Sequence, residues 1–309
     1  MRNFLFFCLI AGTSTSCSED FFSQTIEIDP PLYTKQMVAH TLASNLDSTF
    51  TLPLTRNFGI LDQIPDTAWA VKNAVVEIYE DGQLKVVVPP AFTGSGQWYT
   101  VPLAPGFFQP GRTYELRASH PDFPTVSAKQ VMPGSFQIDS TAYRAKAGIS
   151  AEGDELAAVD VYLKDPAGVK NYYVITAAGL YTNQFIPIYD SLGTVIGFDT
   201  TGTYLYDLYP DSPEDPNVHL AAGNTFAVSD QFFDGQAYKF SFRTYRDNYP
   251  KHRVYVRSVT EDYYLYILSA LRKSDADDLP LVEPVTVHHN LEQGLGIFGL
   301  GWEEVRDVQ

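Results

Sequence analysis

The sequence predicts an all-β protein carrying a single helix. Runs of β-branched and aromatic residues recur at roughly 8–12-residue spacing, and Gly, Pro and Asp clusters separate them. Only one stretch keeps a helical period. Hydrophobic residues make up 45% of the chain, enough to fill packed cores, so a disordered polypeptide is excluded.

The first strands are expected at Met37–Leu42 and Phe50–Leu54. Ala74–Tyr79 and Leu84–Val88 flank Glu80-Asp81-Gly82, and two β-rich runs around Asp-Gly predict a hairpin. Gln97–Leu103, Thr113–Ala118 and Thr125–Val131 follow, divided by Pro110-Gly111 and Pro121-Asp122. About seven such strands predict a β-sandwich over residues 32–133, of Ig-like or carboxypeptidase-regulatory-like kind. Pro133-Gly134 marks its expected end.

Residues 134–309 are expected to form a second, larger β-sandwich-like domain. Ala158–Leu163 alternates and stops at the turn Asp165-Pro166-Ala167-Gly168, and Tyr172–Ala177 restarts. Residues 183–224 are rich in turns. Pro210, Pro213 and Pro216 exclude a helix or central strand in that segment. Tyr238–Tyr245 and Arg253–Arg257 read as strands. The helix is expected at about 259–273. Ser258-Val259-Thr260-Glu261 fits a capping box, and Val259, Tyr263, Tyr266, Ile267, Ala270 and Leu271 share one face. Glu261 and Asp262 at its start and Arg272-Lys273 at its end match the helix dipole.

The N-terminus reads as a secretory signal over residues 1–16. Arg2 supplies a charge, Phe4–Ala11 is apolar, and Gly12 to Ser16 are small residues. An apolar run this short falls well under the ~20 residues a spanning helix needs. Small residues before Cys17 fit lipid attachment at that cysteine, although Ser14 stands where a larger apolar residue is usual. Cys8 lies within the signal, so the chain from Cys17 onward has no cysteine pair and relies on its cores alone. Residues 17–31 are expected to be the lipidated cysteine and a flexible tether ending at Pro30-Pro31. Ser18-Glu19-Asp20 resembles the acidic signal that sends lipoproteins to the outer face of the outer membrane. The formal net charge of −16 excludes phosphate-backbone binding, so no nucleic-acid partner is expected. That charge also opposes lying flat on an anionic membrane, which makes a tether necessary.

The tail carries a resemblance. Glu283–Asn290, then Gly294-Leu295-Gly296-Ile297-Phe298-Gly299, with the preceding helix and Phe232-Phe233-Asp234-Gly235, resembles domain of unknown function 4249. Gly111–Leu116 running to Met132-Pro133 resembles its N-terminal part. The resemblance implies an outer-membrane lipoprotein of the phylum Bacteroidota that works beside a TonB-dependent transporter. It brings no catalytic residues.

Other motifs point to bland roles. Gly294–Gly299 fits GxGxxG, yet only ten residues follow it, too few for the helix, strand and acid of a dinucleotide site. Close backbone approach or a bulge in a late strand is expected instead. His288-His289, read as a strand, would point to opposite faces and could not share a metal. The acidic loop Asp207–Asp215 offers carboxylates to calcium but lacks the EF-hand glycine. Gly94-Ser95-Gly96 is no nucleophile elbow. Trp98-Tyr99 and Tyr204–Tyr209 are expected to pack across strands, although exposed rings there could stack on a glycan. Catalytic residues, metal ligands and cofactors are therefore expected to be absent. The expectation is a non-enzymatic accessory or ligand-capture partner of a TonB-dependent system, taking a glycan or peptide. The alternatives are a surface hydrolase and a structural or adhesive surface protein.

Overall fold

Strands occupy nearly every position the alternating pattern predicts, and the fold is all-β with one long helix. The computed structural model describes residues 33–308 apart from 60, 65–68, 94–95, 183–185, 200–202, 212, 214, 222, 246–248, 250, 278–282 and 284. Cys17 and Ser18-Glu19-Asp20 lie outside the described residues. Lys35–Asn57 and Ile64–Gln309 form one compact unit. The described residues among Met1–Thr34 and Phe58–Gln63 form a small one, in which Asp62 accepts from the Tyr33 hydroxyl (2.8 Å) and from Gly59 N–H (2.9 Å).

The first half of the larger unit contains β1 (Met37–Ser44), β2 (Thr49–Arg56), β3 (Val75–Glu80), β4 (Gln83–Val88), β5 (Pro90–Thr93), β6 (Gly96–Pro102), β7 (Thr113–His120) and β8 (Phe123–Val131). The expected hairpin joins β3 to β4. Asp81 and Gly82 both take positive φ (49° and 81°), as a two-residue turn matched to strand twist requires. β4-β3-β7-β8 form one sheet. Phe50, Leu52, Leu54, Ile78, Leu116 and Val126 meet in the core beneath it.

The second half contributes β9 (Gln137–Ile149), β10 (Glu155–Lys164), β11 (Tyr172–Thr182), β12 (Ile186–Tyr189), β13 (Val195–Asp199), β14 (Thr203–Asp207), β15 (His219–Leu220) and β16 (Thr225–Ser229). β17 (Ala237–Tyr245), β18 (Lys251–Val259), α1 (Glu261–Asp277) and β19 (Leu295–Val308) complete the chain. β17-β10-β9 form a separate sheet, and Val159, Val161, Phe240 and Phe242 face a second core with Tyr173, Ile175, Val254 and Val256.

One sheet serves both cores. Its strand order is β15-β16-β11-β18-β19-β1-β2-β6-β5, with β14 also on β11. β19 lies antiparallel to β18, from His252↔Val308 to Val259↔Gly301. On its other edge it runs parallel to β1, from Val38↔Leu295 to Ser44↔Gly301. Alternation along β19 sends Phe298 and Leu300 into the first core and Val308 into the second, while Trp302 packs against both.

The glycine run does what its steric reading requires. Gly296 has φ +106°, and a methyl group there would collide with the Ala39 carbonyl oxygen on β1. At Gly294 an added Cβ would sit 2.5 Å from Val126 Cγ1, and at Gly299 it would sit 2.5 Å from the Tyr263 ring of α1. The glycines thus let β8, β1 and α1 close on the final strand.

The capping box is not formed. Ser258 remains within β18, and its buried Oγ makes no hydrogen bond with any described residue. The antiparallel ladder to Trp302 holds Ser258 extended, so the helix starts three residues later, with the Thr260 carbonyl accepting Tyr264 N–H (3.1 Å). The helix then runs to Asp277, one turn past Arg272-Lys273.

Gly296→Ala is expected to destabilise the protein by about 3 kcal/mol, from positive-φ strain and overpacking together. Gly134→Ala, with no atom within 4 Å of the added Cβ, is expected to cost less than ~0.5 kcal/mol. Urea unfolding of the two variants makes the comparison. Equal stabilities would remove the close approach of β1 and β19.

Candidate functional site

The helix lies on the face of the shared sheet opposite both cores. Its first turns are fixed firmly. Tyr264 is buried against Tyr172 (ring centroids 4.7 Å), with Val174, Ala227 and Val259 around it. Tyr263 packs in the space left by Gly299. Glu261 accepts from Lys170 Nζ (2.8 Å) and from the Tyr172 hydroxyl. Asp262 takes Gln130 Nε2 (2.6 Å) and lies 2.8 Å from His288 Nε2. Burial pushes the Asp262 carboxyl up, but the hydrogen bonds from Gln130 and His288 outweigh it and hold it below the usual range.

Farther along, the helix is held loosely. From Leu265 to Ala276 no residue is fully buried. Ala270 and Ser274 are too short to fill the space beneath them, and a cleft opens on either flank. The one beside β1, about 500 Å³, is lined by Val38, His40, Tyr266 and the 287–289 segment. The one over β11 and β18, about 330 Å³, is lined by Val174, Thr176, Arg257, Tyr263, Ile267 and Leu271 among others. Both volumes fall within the roughly 300–1,000 Å³ of small-molecule sites.

Several sequence expectations change in place or meaning. His288 and His289 do not alternate on a strand. Their segment is irregular, fastened by His288 N–H to Ser269 Oγ (2.8 Å) and by Asn290 to the Phe298 backbone, and both histidines line the first cleft. Of the acidic loop, Asp207 accepts from Asn224, Asp211 pairs with Arg243 and Asp215 accepts from Tyr238 and Asn217, so these carboxylates face separate protein partners. Tyr99 is buried, donating to Val71 O (3.0 Å) and accepting from Ala74 N–H (2.8 Å). Tyr206 stacks on Tyr249, whereas Tyr209 is exposed. Gly94 and Ser95 lie outside the described residues.

Two carboxylate groupings went unseen in the sequence. Asp160, buried on the outer face of β10, meets Arg144, Ser241 and Lys239. Burial raises its carboxyl, yet these donors bring it down to about 2. It is an ion cluster that ties β9, β10 and β17 together.

The second grouping is Asp165, Asp230 and Asp234, whose oxygens lie within 4.8 Å of one another. A divalent cation could be held at that spacing. Each carboxylate also has a structural duty. Asp165 accepts from the Tyr173 hydroxyl (2.6 Å) and Gly235 N–H (2.9 Å), Asp230 from Asn171 N–H (2.6 Å), and Asp234 from Gly168 N–H (2.7 Å). Together they lash the 165–168 turn to the 230–235 turn. Asp230 and Asp234 lie four positions apart, but Asp165 precedes Asp230 by 65, so no local motif joins all three and spacing gave no signal.

The architecture defines a two-core β-protein with a helix-covered central sheet. The chain belongs to the family described as domain of unknown function DUF4249, whose family model matches residues 23–306. No curated protein matches it.

Burial raises the Asp230 carboxyl, and Asp165 and Asp234 add to the rise. The folded protein therefore binds that proton more tightly than the unfolded chain, and ionised Asp230 costs stability at neutral pH. Asp230→Asn is expected to raise Tm at pH 7. The gain should vanish below about pH 4, where the unfolded carboxyl is protonated too. Thermal unfolding across pH tests this, and a lower Tm for the variant at pH 7 would contradict it.

Proposed function

We propose that the protein is exported, lipidated at Cys17 and displayed on the outer face of the outer membrane, where it serves a TonB-dependent transporter as a non-enzymatic ligand-capture partner. The observation that carries this reading is Cys17 itself, placed after a short apolar run and small residues and before Ser18-Glu19-Asp20. A double-acylated cysteine supplies the two chains that stable anchoring needs. The acidic body, part of a chain at −16 that loses the positive Arg2 with its signal, is repelled by an anionic surface and stands off the membrane on its tether.

Two surface features support a partner-facing role. Clefts of ligand size flank α1. In addition, among the described residues β12 and β13 pair with each other alone and carry apolar side chains into solvent. Leu192 at the tip is 89% exposed and Ile196 66%, with Tyr189 and Phe198 beside them. Asp190 Oδ1 accepts from Leu192 and Thr194 N–H (both 2.9 Å), which holds the tip in a fixed turn. Several exposed apolar side chains on one short hairpin suit protein contact.

Replacing Cys17 with Ser is expected to move the protein out of the outer-membrane fraction, and persistent membrane association would reject lipid anchoring. Affinity purification of the wild type is expected to recover a TonB-dependent barrel. The Leu192→Asp, Ile196→Asp double variant should lose it at unchanged Tm. Equal recovery with the variant would show that the hairpin is not the contact.

A further inference from the structure

The cleft over β11 and β18 has a more specific character than its volume. Its walls are largely apolar and aromatic, with Val174 below and Tyr263, Ile267 and Leu271 above, and Thr176, Thr225 and Ser274 add hydroxyls at the lining. One charged side chain, Arg257, stands among the residues that line it. Arg257 is half-buried on β18 and gives one Nη to Glu303 (3.0 Å), which is itself 7% exposed at the side chain. Beyond that ion pair its guanidinium meets no acceptor among the described residues, and its Nε is buried without a partner there. The hydroxyls of Tyr263 and Tyr266 likewise make no hydrogen bond with a described residue.

The charge of Arg257 is therefore matched by Glu303, while the described residues match its hydrogen-bonding capacity only in part, leaving the rest of the fork to solvent or a ligand. A guanidinium carries five N–H donors in a planar fork. A second carboxylate beside Glu303 would meet a buried negative charge within a chain already at −16. A neutral oxygen would accept from the spare donors without that repulsion. A hydrocarbon would fill the apolar walls but leave the donors unmet, at the expense of roughly one hydrogen bond.

We infer that this cleft binds a small, uncharged, apolar or aromatic molecule bearing one carbonyl or hydroxyl oxygen, with the oxygen at Arg257 and the apolar body between Val174 and the Tyr263–Leu271 face of α1. The inference deepens the ligand-capture reading and rests on it only for the existence of a ligand. At about 330 Å³ the cleft takes a single ring or a short chain. Ala221 and Thr225 line it as well, and the short Ala270 side chain leaves room under the helix.

Three probes of nearly equal size separate the contributions: acetophenone, ethylbenzene and benzoate. Binding to the full-length protein is measured by saturation-transfer NMR. Acetophenone should bind saturably, with ethylbenzene about fivefold weaker, the worth of one hydrogen bond, and benzoate weaker than acetophenone. Ala221→Leu, which narrows the cleft, should weaken acetophenone at least about fivefold at unchanged Tm. Arg257→Lys keeps the positive charge beside Glu303 but removes the fork, and should erase the preference for acetophenone over ethylbenzene. Were Arg257→Lys to unfold, Ala221→Leu still decides. Absence of saturable acetophenone binding, tightest binding by benzoate, or indifference to Ala221→Leu would overturn the inference. Loss of barrel co-purification with acetophenone binding retained would remove the transporter reading and keep the site. The reverse pattern would remove the site alone.

Discussion

Everything in the larger unit depends on the insertion of its final strand between β1 and β18. A strand added at a sheet edge would stabilise one core. β19 instead lies in the middle of the ten-stranded sheet, contributing Phe298 and Leu300 to one core and Val308 to the other, with Trp302 between. Parallel pairing with β1 joins residues more than 250 positions apart, so closing the ladder carries a large loop-closure entropy that packing of the intervening chain must offset. The glycines make the insertion sterically feasible. Ala39, Val126 and Tyr263 each occupy space that a side chain on the strand would take.

The same strand determines where function can reside. With both cores on one face of the sheet, the opposite face needs a cover, and α1 provides it. The cover is tight where Tyr264 meets Tyr172 and loose beyond Leu265. Short side chains at Ala270 and Ser274 leave hollows that larger residues would have filled. The hollow over β18 is lined by Arg257, whose charge Glu303 balances and whose remaining donors meet no described residue, and the proposed recognition of a neutral oxygen rests on that imbalance.

Local signals were legible and long-range ones were not. Asp81-Gly82 announces a hairpin because both residues tolerate positive φ, and the strands around it formed as expected. The helix was visible from its period, but its start was misplaced because Ser258-Val259-Thr260-Glu261 satisfies a local cap that the β18–β19 ladder overrides. His288-His289 looked like strand residues, yet hydrogen bonds to Ser269 and Phe298 hold their segment irregular, and both face the same cleft. The parallel β1–β19 pair leaves no local trace, and neither does the approach of Asp165 to Asp230 and Asp234. Arg257 could not be singled out, because its role appears only when Glu303 and Tyr263 are brought beside it by different elements.

The most direct measurement is the folding of residues 33–133 expressed without the rest of the chain. This fragment holds eight strands and most of the first core but lacks Leu291, Phe298 and Leu300. If β19 completes that core, the fragment should show collapsed amide dispersion in NMR spectra and no cooperative urea transition, and should gain both when a peptide spanning 285–309 is added. A fragment that folds cooperatively alone, with native-like dispersion, would contradict the dependence of the first core on the final strand.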